Sequence, residues 1–333
     1  MITVKKVFSY KKQPVYEIEL KNDVIQVNVL TLGATLTHFS KLNEANTLIR
    51  YKDVKSYADN NVYLGSTIGP LAGRTKNGKI IIENQEYQLD INDPPNHLHG
   101  GNKGIDQHVF NYIYEDDERF PSVVFSDTID HTSSGYPGKI TYYIQYRLVR
   151  NTLIINLKAV PETMTTINLT THAYFNLSQE ETILNHLLKV DSNQVVELDE
   201  TYAPNKSFIN VHNTAFDFRS AYVIGERIKR KHQQFEMTRS IDHCYLLRDK
   251  HSVVLFDPKT KTSLAMNTTA PACVVYLANF FDEQFATEFH PRAKNHAGIA
   301  IEPSDVVNGY NLDLAPLYSP EEPFDQTTWY TLN

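Results

Sequence analysis

Residues 96–110, NHLHGGNKGIDQHVF, bring His97, His99 and His108 together with Gly100, Gly101 and Gly104. The chain has 13 glycines and 13 histidines in all, so both types are concentrated here. Three imidazoles are donors suited to a metal site. Glycines running into a helix N-terminus would cradle a phosphate. A glycine turn with surface histidines would do neither, and a loop at a sheet edge would offer His99 to a polar, uncharged ligand. No fourth Cys or acidic ligand lies at a recognisable metal spacing, and IDQHVF is a poor helix start.

Four other stretches carry groups able to bind or move protons. In LGSTIGPLAGRTKNGKI (64–80), Gly65, Gly69, Gly73 and Gly78 rule out a regular helix and fit neither a Rossmann nor a P-loop spacing. Arg74 sits among them; its fixed fork of donors suits it to gripping hydroxyls or carboxylates, or to a surface salt bridge. In TINLTTHAYFNLS (166–178), His172 falls at a strand end, either as a satisfied rim residue or as a general acid titrating near neutral pH. In SIDHCYLL (240–247), Asp242 is either a turn residue bonding its own backbone or a carboxylate accepting ligand hydroxyls. In AGIAIEPSDVVNGYN (297–311), Glu302 closes an apolar run. It is either the first exposed residue past a buried strand or a carboxylate held in a cleft.

The elements that must position these groups read as strands. In KITYYIQYRLV, Ile140, Tyr142, Ile144, Tyr146 and Leu148 alternate with other side chains; after Arg150-Asn151, Leu153, Ile155, Leu157 and Ala159 do the same. That period of two predicts a long hairpin. KIIIENQEYQL predicts a second, turning near Asn84-Gln85, and SVVLFDPKTKTSLAM a third with Pro258 in its turn. DVIQVNVLTLGATLTHFSKL reads as two strands broken at Gly33, and CVVYLANFF (273–281) as a buried strand. ETILNHLL (181–188) and AYVIGERI (221–228) are the sparse helical candidates. With 20 Tyr and 16 Phe in support, the expectation is an all-β chain. It would form one large antiparallel β-sandwich, a single domain over residues 1–333.

The formal net charge is −7 and the 32 Lys and Arg are scattered, which argues against nucleic acid and anionic membranes as partners. Cys244 and Cys273 are too few for a disulfide framework and fit a reducing compartment. No stretch reads as a signal peptide or reaches the roughly 20 apolar residues of a membrane span. The expectation is a soluble, cytoplasmic protein.

Taken in order, GRT with Arg74, LHGG with His99, THAYFNL with His172, IDH with Asp242 and IEP with Glu302 resemble the motifs of aldose 1-epimerases (galactose mutarotases). VELDETYAPNKSFINVHNTAFDFR (196–219) is similar to that family's linking segment. The resemblance runs from about Gly33 to Asn311. It implies a galactose mutarotase-like supersandwich that interconverts the α and β anomers of free monosaccharides without cofactor or metal. It also implies roles: Glu302 as the base at the anomeric hydroxyl, His172 as the acid at the ring oxygen, and His99, Arg74 and Asp242 as holders of sugar hydroxyls. A carboxylate beside His172 would keep that imidazole charged when the substrate arrives.

Two positions depart from the family pattern. Pro303 and Ser304 follow Glu302 where many relatives carry Gln, and Val274 stands where many carry another Gln. Each lost amide removes a hydrogen bond worth about 0.5–1.5 kcal/mol, so the departures bear on sugar preference. Three alternatives stand beside the mutarotase. One is a sugar-phosphate relative using Arg74, Lys76 and Lys79; the second is a non-catalytic sugar-binding protein on the same fold. The third is a metal enzyme using His97, His99 and His108.

Overall fold

The computed structural model describes residues 1–248 and 251–333. Among them, strands form a four-stranded, a six-stranded and a nine-stranded sheet, together with three two-stranded ladders. All pairings between strands are antiparallel, as the period-two pattern predicts.

The long hairpin is the strand Lys139–Val149 paired with Thr152–Pro161. Tyr142 faces Ala159, Ile144 faces Leu157, Tyr146 faces Ile155 and Leu148 faces Leu153. All eight are buried, each large apolar side chain contributing about 1.5–3 kcal/mol. This hairpin sits inside the nine-stranded sheet, which packs against one face of the six-stranded sheet. Tyr330 joins the two: its hydroxyl donates to Ile301 O at 3.1 Å, and its ring lies 5.4 Å from that of Phe175.

The break at Gly33 is observed, with φ of 64° between the strands Ile25–Leu30 and Thr35–Lys41. The second hairpin turns one residue earlier than expected, at Glu83-Asn84, both left-handed. Pro258 lies in the loop between Ser252–Phe256 and Ser263–Thr268.

Two expectations are corrected and the helical one at 221–228 is met in part. ETILNHLL is not helical: its end enters the strand Leu187–Val190, where Leu188 pairs with Leu255 and is fully buried. Tertiary pairing overrides the local pattern there. AYVIGERI splits into the short strand Tyr222–Val223 and a five-residue helix, Ile224–Ile228. CVVYLANFF leaves its strand after Tyr276, and Ala278 turns the chain with φ of 48°. No helix among the described residues is long and apolar enough to cross a membrane.

Candidate active site

The face of the six-stranded sheet turned away from the core holds the site. Its central strands are Ile299–Ser304, Ala272–Tyr276 and Asp242–Leu247. Register aligns their side chains in rows. Glu302 lies across from Val274, which lies across from Cys244; Ala300 lies across from Tyr276, which lies across from Asp242. Successive side chains alternate faces, so Ile299 and Ile301 enter the main core while Glu302 and Ser304 face a cavity of about 390 Å³. Glu302 is therefore no residue past the strand's end. It sits within the strand and is 4% exposed.

The other groups arrive from loops pinned to short ladders. Thr170–Thr171 pairs with Thr67–Ile68, and His172 follows at once. Its N–H donates to Ser66 O and its carbonyl accepts from Gly65 N, both at 2.9 Å. Arg74–Thr75 pairs with His97–Leu98, which sets Arg74 beside the start of the His99 turn. Asn279 anchors the approach to Asp242, its amide donating to Thr238 O at 2.7 Å and Ile241 O at 3.0 Å.

All five expected residues, Arg74, His99, His172, Asp242 and Glu302, line this one cavity. His172 Nε2 lies 3.5 Å from Glu302 Oε1, and each residue is 4% exposed. Burial pushes the Glu302 carboxyl well above the usual carboxylate range, helped by the Asp242 charge. Burial lowers His172 to about 4. In the empty cleft both shifts run against the charged forms. Opposite charges at this depth lose much of their solvation.

His99 is also held neutral: burial lowers it well below the ordinary imidazole value, and His172 and Arg74 add to the shift. Gly73 N–H donates to His99 Nδ1 at 3.1 Å. That bond fixes the tautomer with the proton on Nε2, which is left as a donor. Arg74 makes the ion pair that was one of its two expected readings. Its Nε donates to Asp93 Oδ2 at 2.6 Å, while its terminal nitrogens have no hydrogen-bond partner among the described residues. The Asp242 carboxylate accepts no hydrogen bond from the described residues, and only its backbone N–H is engaged, with His243 Nδ1. Burial raises its carboxyl, Arg74 opposing.

The three histidines of the opening stretch part company. His97 is fully buried, with Nε2 2.8 Å from the Tyr136 hydroxyl and Nδ1 2.8 Å from Asp90 O. His108 pairs with Asp127 at 2.9 Å. Only His99 reaches the cavity. No group of three or more His, Cys, Asp or Glu among the described residues is arranged to hold a metal ion. The glycines serve loop packing rather than ligand approach: a Cβ on Gly100 would stand 1.9 Å from Gly69 O.

Sequence reasoning missed Tyr63. It has a left-handed φ of 57°, and its ring centroid lies 4.6 Å from that of His99 and 6.0 Å from that of His172, stacked on the latter. Tyr174 and Tyr276 complete the enclosure, 4.8 Å and 6.4 Å from the His172 ring. Asp93 and Tyr202 were missed as partners of Arg74. The DPPN segment before HLHG was the available sign of Asp93.

Comparison with known proteins identifies the family and the fold. The family model described as aldose 1-epimerase matches residues 16–331. The chain is 28% identical to human galactose mutarotase over 328 residues, covering 95% of this chain and 93% of that protein. It is also 28% identical to the aldose 1-epimerase of Escherichia coli K12 over 302 residues, covering 87% and 86%. The crystal structure of galactose 1-epimerase from Lactobacillus acidophilus NCFM superposes with a TM-score of 0.91 at 28% identity, over 100% of this chain and 98% of that one. The family model spans nearly the whole chain, including the strands and loops that bring the Glu302 carboxyl and the His172 imidazole together, and the chain belongs to the aldose 1-epimerase family.

Proposed function

We propose that the protein is a mutarotase that opens and recloses the ring of free aldoses such as galactose and glucose, with Glu302 and His172 as the proton-transfer pair. The observation that carries this reading is the 3.5 Å approach of His172 Nε2 to Glu302 Oε1 inside the cavity. Glu302 takes the proton from the anomeric hydroxyl while His172 Nε2 gives one to the ring oxygen. The bond between the anomeric carbon and the ring oxygen breaks, and the anomeric carbon becomes an aldehyde. Rotation about the adjacent C–C bond and the reverse transfers close the other anomer and restore both groups.

The pair must hold one proton for this cycle. Burial favours that proton on Glu302 in the empty cleft. Sugar hydroxyls donating to the carboxylate stabilise its charged form, which moves the proton to His172 as substrate enters. His99 Nε2–H, the terminal nitrogens of Arg74 and the Asp242 carboxylate hold the remaining hydroxyls. Each positioned acid or base is worth about 10²–10⁴ in rate.

A free sugar is favoured over a sugar phosphate. Lys76 is bonded to Asp199 at 2.6 Å and Lys79 to Glu86 at 2.7 Å, so neither faces the cavity as a free cation. Both cysteines are free and buried, which supports a reducing compartment such as the cytoplasm. The test is polarimetry on freshly dissolved α-D-galactose and α-D-glucose. A faster approach to the same final rotation, lost in Glu302→Gln, supports the reading; no acceleration on either sugar by folded protein would overturn it.

A further inference from the structure

We propose that the hydroxyls of Ser304 and Thr170 hold the acetamido group of a sugar that carries one at C2, so that N-acetylhexosamines are opened and reclosed as well as plain aldoses; the proposal rests on the mutarotase reading above. Glu302 heads a row that continues through Val274 to Cys244 across the ladder. The segment on the other side of its strand is antiparallel too, with Tyr174 paired to Ala300 and Phe175 to Ile299. Carried past the end of that ladder, the same register sets His172 beside Glu302 and Thr170 beside Ser304. The 3.5 Å approach of His172 to Glu302 agrees with it. So does Asn168, whose side chain brackets the backbone of Asp305, accepting from its N–H at 2.9 Å and donating to its carbonyl at 3.2 Å. Thr170 and Ser304 therefore form the next row, about 7 Å beyond the proton-transfer pair at the rise of two residues. Both line the cavity that the pair faces.

Both residues are buried, yet neither Ser304 Oγ nor Thr170 Oγ1 has a hydrogen-bond partner among the described residues. Buried polar groups are ordinarily paired, so two orphans in one row of a cavity wall mark a place for a ligand's polar group. Each hydroxyl donates one hydrogen bond and can accept another. An acetamide offers one N–H and one carbonyl, which suit such a pair. Its methyl needs an apolar wall, and Val274, Cys244 and Val307 line the same cavity. The position on the ring follows from the anomeric carbon, whose two ring neighbours are the ring oxygen and C2. In the proposed cycle His172 serves the ring oxygen. Its imidazole lies among the rings of Tyr63, Tyr174 and Tyr276, toward the row of Ala300, Tyr276 and Asp242. C2 is then turned to the opposite side, where Ser304 and Thr170 stand. A C2 hydroxyl stays over Glu302 beside the anomeric hydroxyl, whereas the carbonyl and methyl of an acetamide reach further along the strand. The reaction is unchanged: the bond between the anomeric carbon and the ring oxygen breaks and reforms, Glu302 and His172 move the protons, and the amide is untouched.

The experiment is polarimetry on freshly dissolved α-D-glucose and α-N-acetyl-D-glucosamine with the wild type, Ser304→Leu and Thr170→Val. The wild type should accelerate both, with kcat/KM for the acetamido sugar within about tenfold of that for glucose. Ser304→Leu fills the row and should lower the ratio of the two values, acetamido sugar over glucose, by about tenfold or more. Thr170→Val keeps the shape and drops the hydroxyl, and should lower that ratio about two- to tenfold, the worth of one hydrogen bond. Thr170→Val alone decides if Ser304→Leu fails to fold. Turnover of glucose with no acceleration of the acetamido sugar would overturn the subsite and leave the mutarotase reading standing. So would an unchanged ratio in Thr170→Val and in any folded Ser304→Leu. Inactivity of the wild type on both sugars would remove the mutarotase reading and the subsite with it.

Discussion

Val274 lies directly across the strand ladder from Glu302. The next residue along that row is Cys244. The cavity carboxyl therefore has an aliphatic cross-strand neighbour and, beyond it, a thiol that is at best a weak donor. With no amide in this row, burial is left to raise Glu302. Val274→Gln is expected to supply a donor to the carboxylate and draw its pKa down. The check is the pH profile of kcat/KM, whose alkaline limb should move to lower pH in the variant.

The wild-type profile should be a bell whose limbs follow from the proton count. Activity needs one proton on the His172–Glu302 pair. Adding a second protonates His172, which burial has lowered to about 4, so the acid limb falls near that pH. Losing the only proton is governed by Glu302, raised above its ordinary value, so the alkaline limb lies above the usual carboxylate range. An acid limb at the ordinary imidazole value of about 6.5 would mean that the carboxylate, not burial, dominates His172.

Glu302→Gln and His172→Asn are each expected to lower kcat by about 10²–10⁴. The double variant should lose little more than the worse single one, because a broken proton relay is lost as a unit. Polarimetry reads all three, with circular dichroism confirming that the fold is kept.

Glu302→Gln should also unfold at a higher temperature than the wild type at neutral pH. A group whose folded pKa is raised contributes its full stability below its unfolded pKa and loses it as pH rises through the folded value. The neutral amide escapes that loss. Calorimetry should therefore find the gain in melting temperature growing from about pH 4 upward, and a gain independent of pH would refute the argument.

Arg74→Ala and Asp242→Ala are expected to raise KM as well as lower kcat, because both are proposed to hold hydroxyls. A hydrogen bond to a charged group is worth about 1.5–3 kcal/mol, so kcat/KM should fall roughly 10–150-fold. Arg74→Lys should not rescue, since an ammonium cannot bond Asp93 and the sugar in the same fork.

The strand pattern and the order of the motifs were legible in the sequence because both are local. A period of two marks the buried face of the Lys139–Val149 hairpin whatever it packs against, and Gly33 marks a break wherever the chain must take positive φ. The five candidate residues could be named from their neighbours in the chain. Their alternatives could not be resolved there. Whether Glu302 is exposed or enclosed, and whether Arg74 makes a salt bridge or a free fork, depends on residues distant in sequence such as Val274 and Asp93. The division of His97, His99 and His108 among three environments is likewise invisible in their spacing. Local pattern suffices for the fold class and for the chemical groups available. Their protonation and their neighbours come from solvation and cross-strand register, which belong to the folded chain and not to any segment of it.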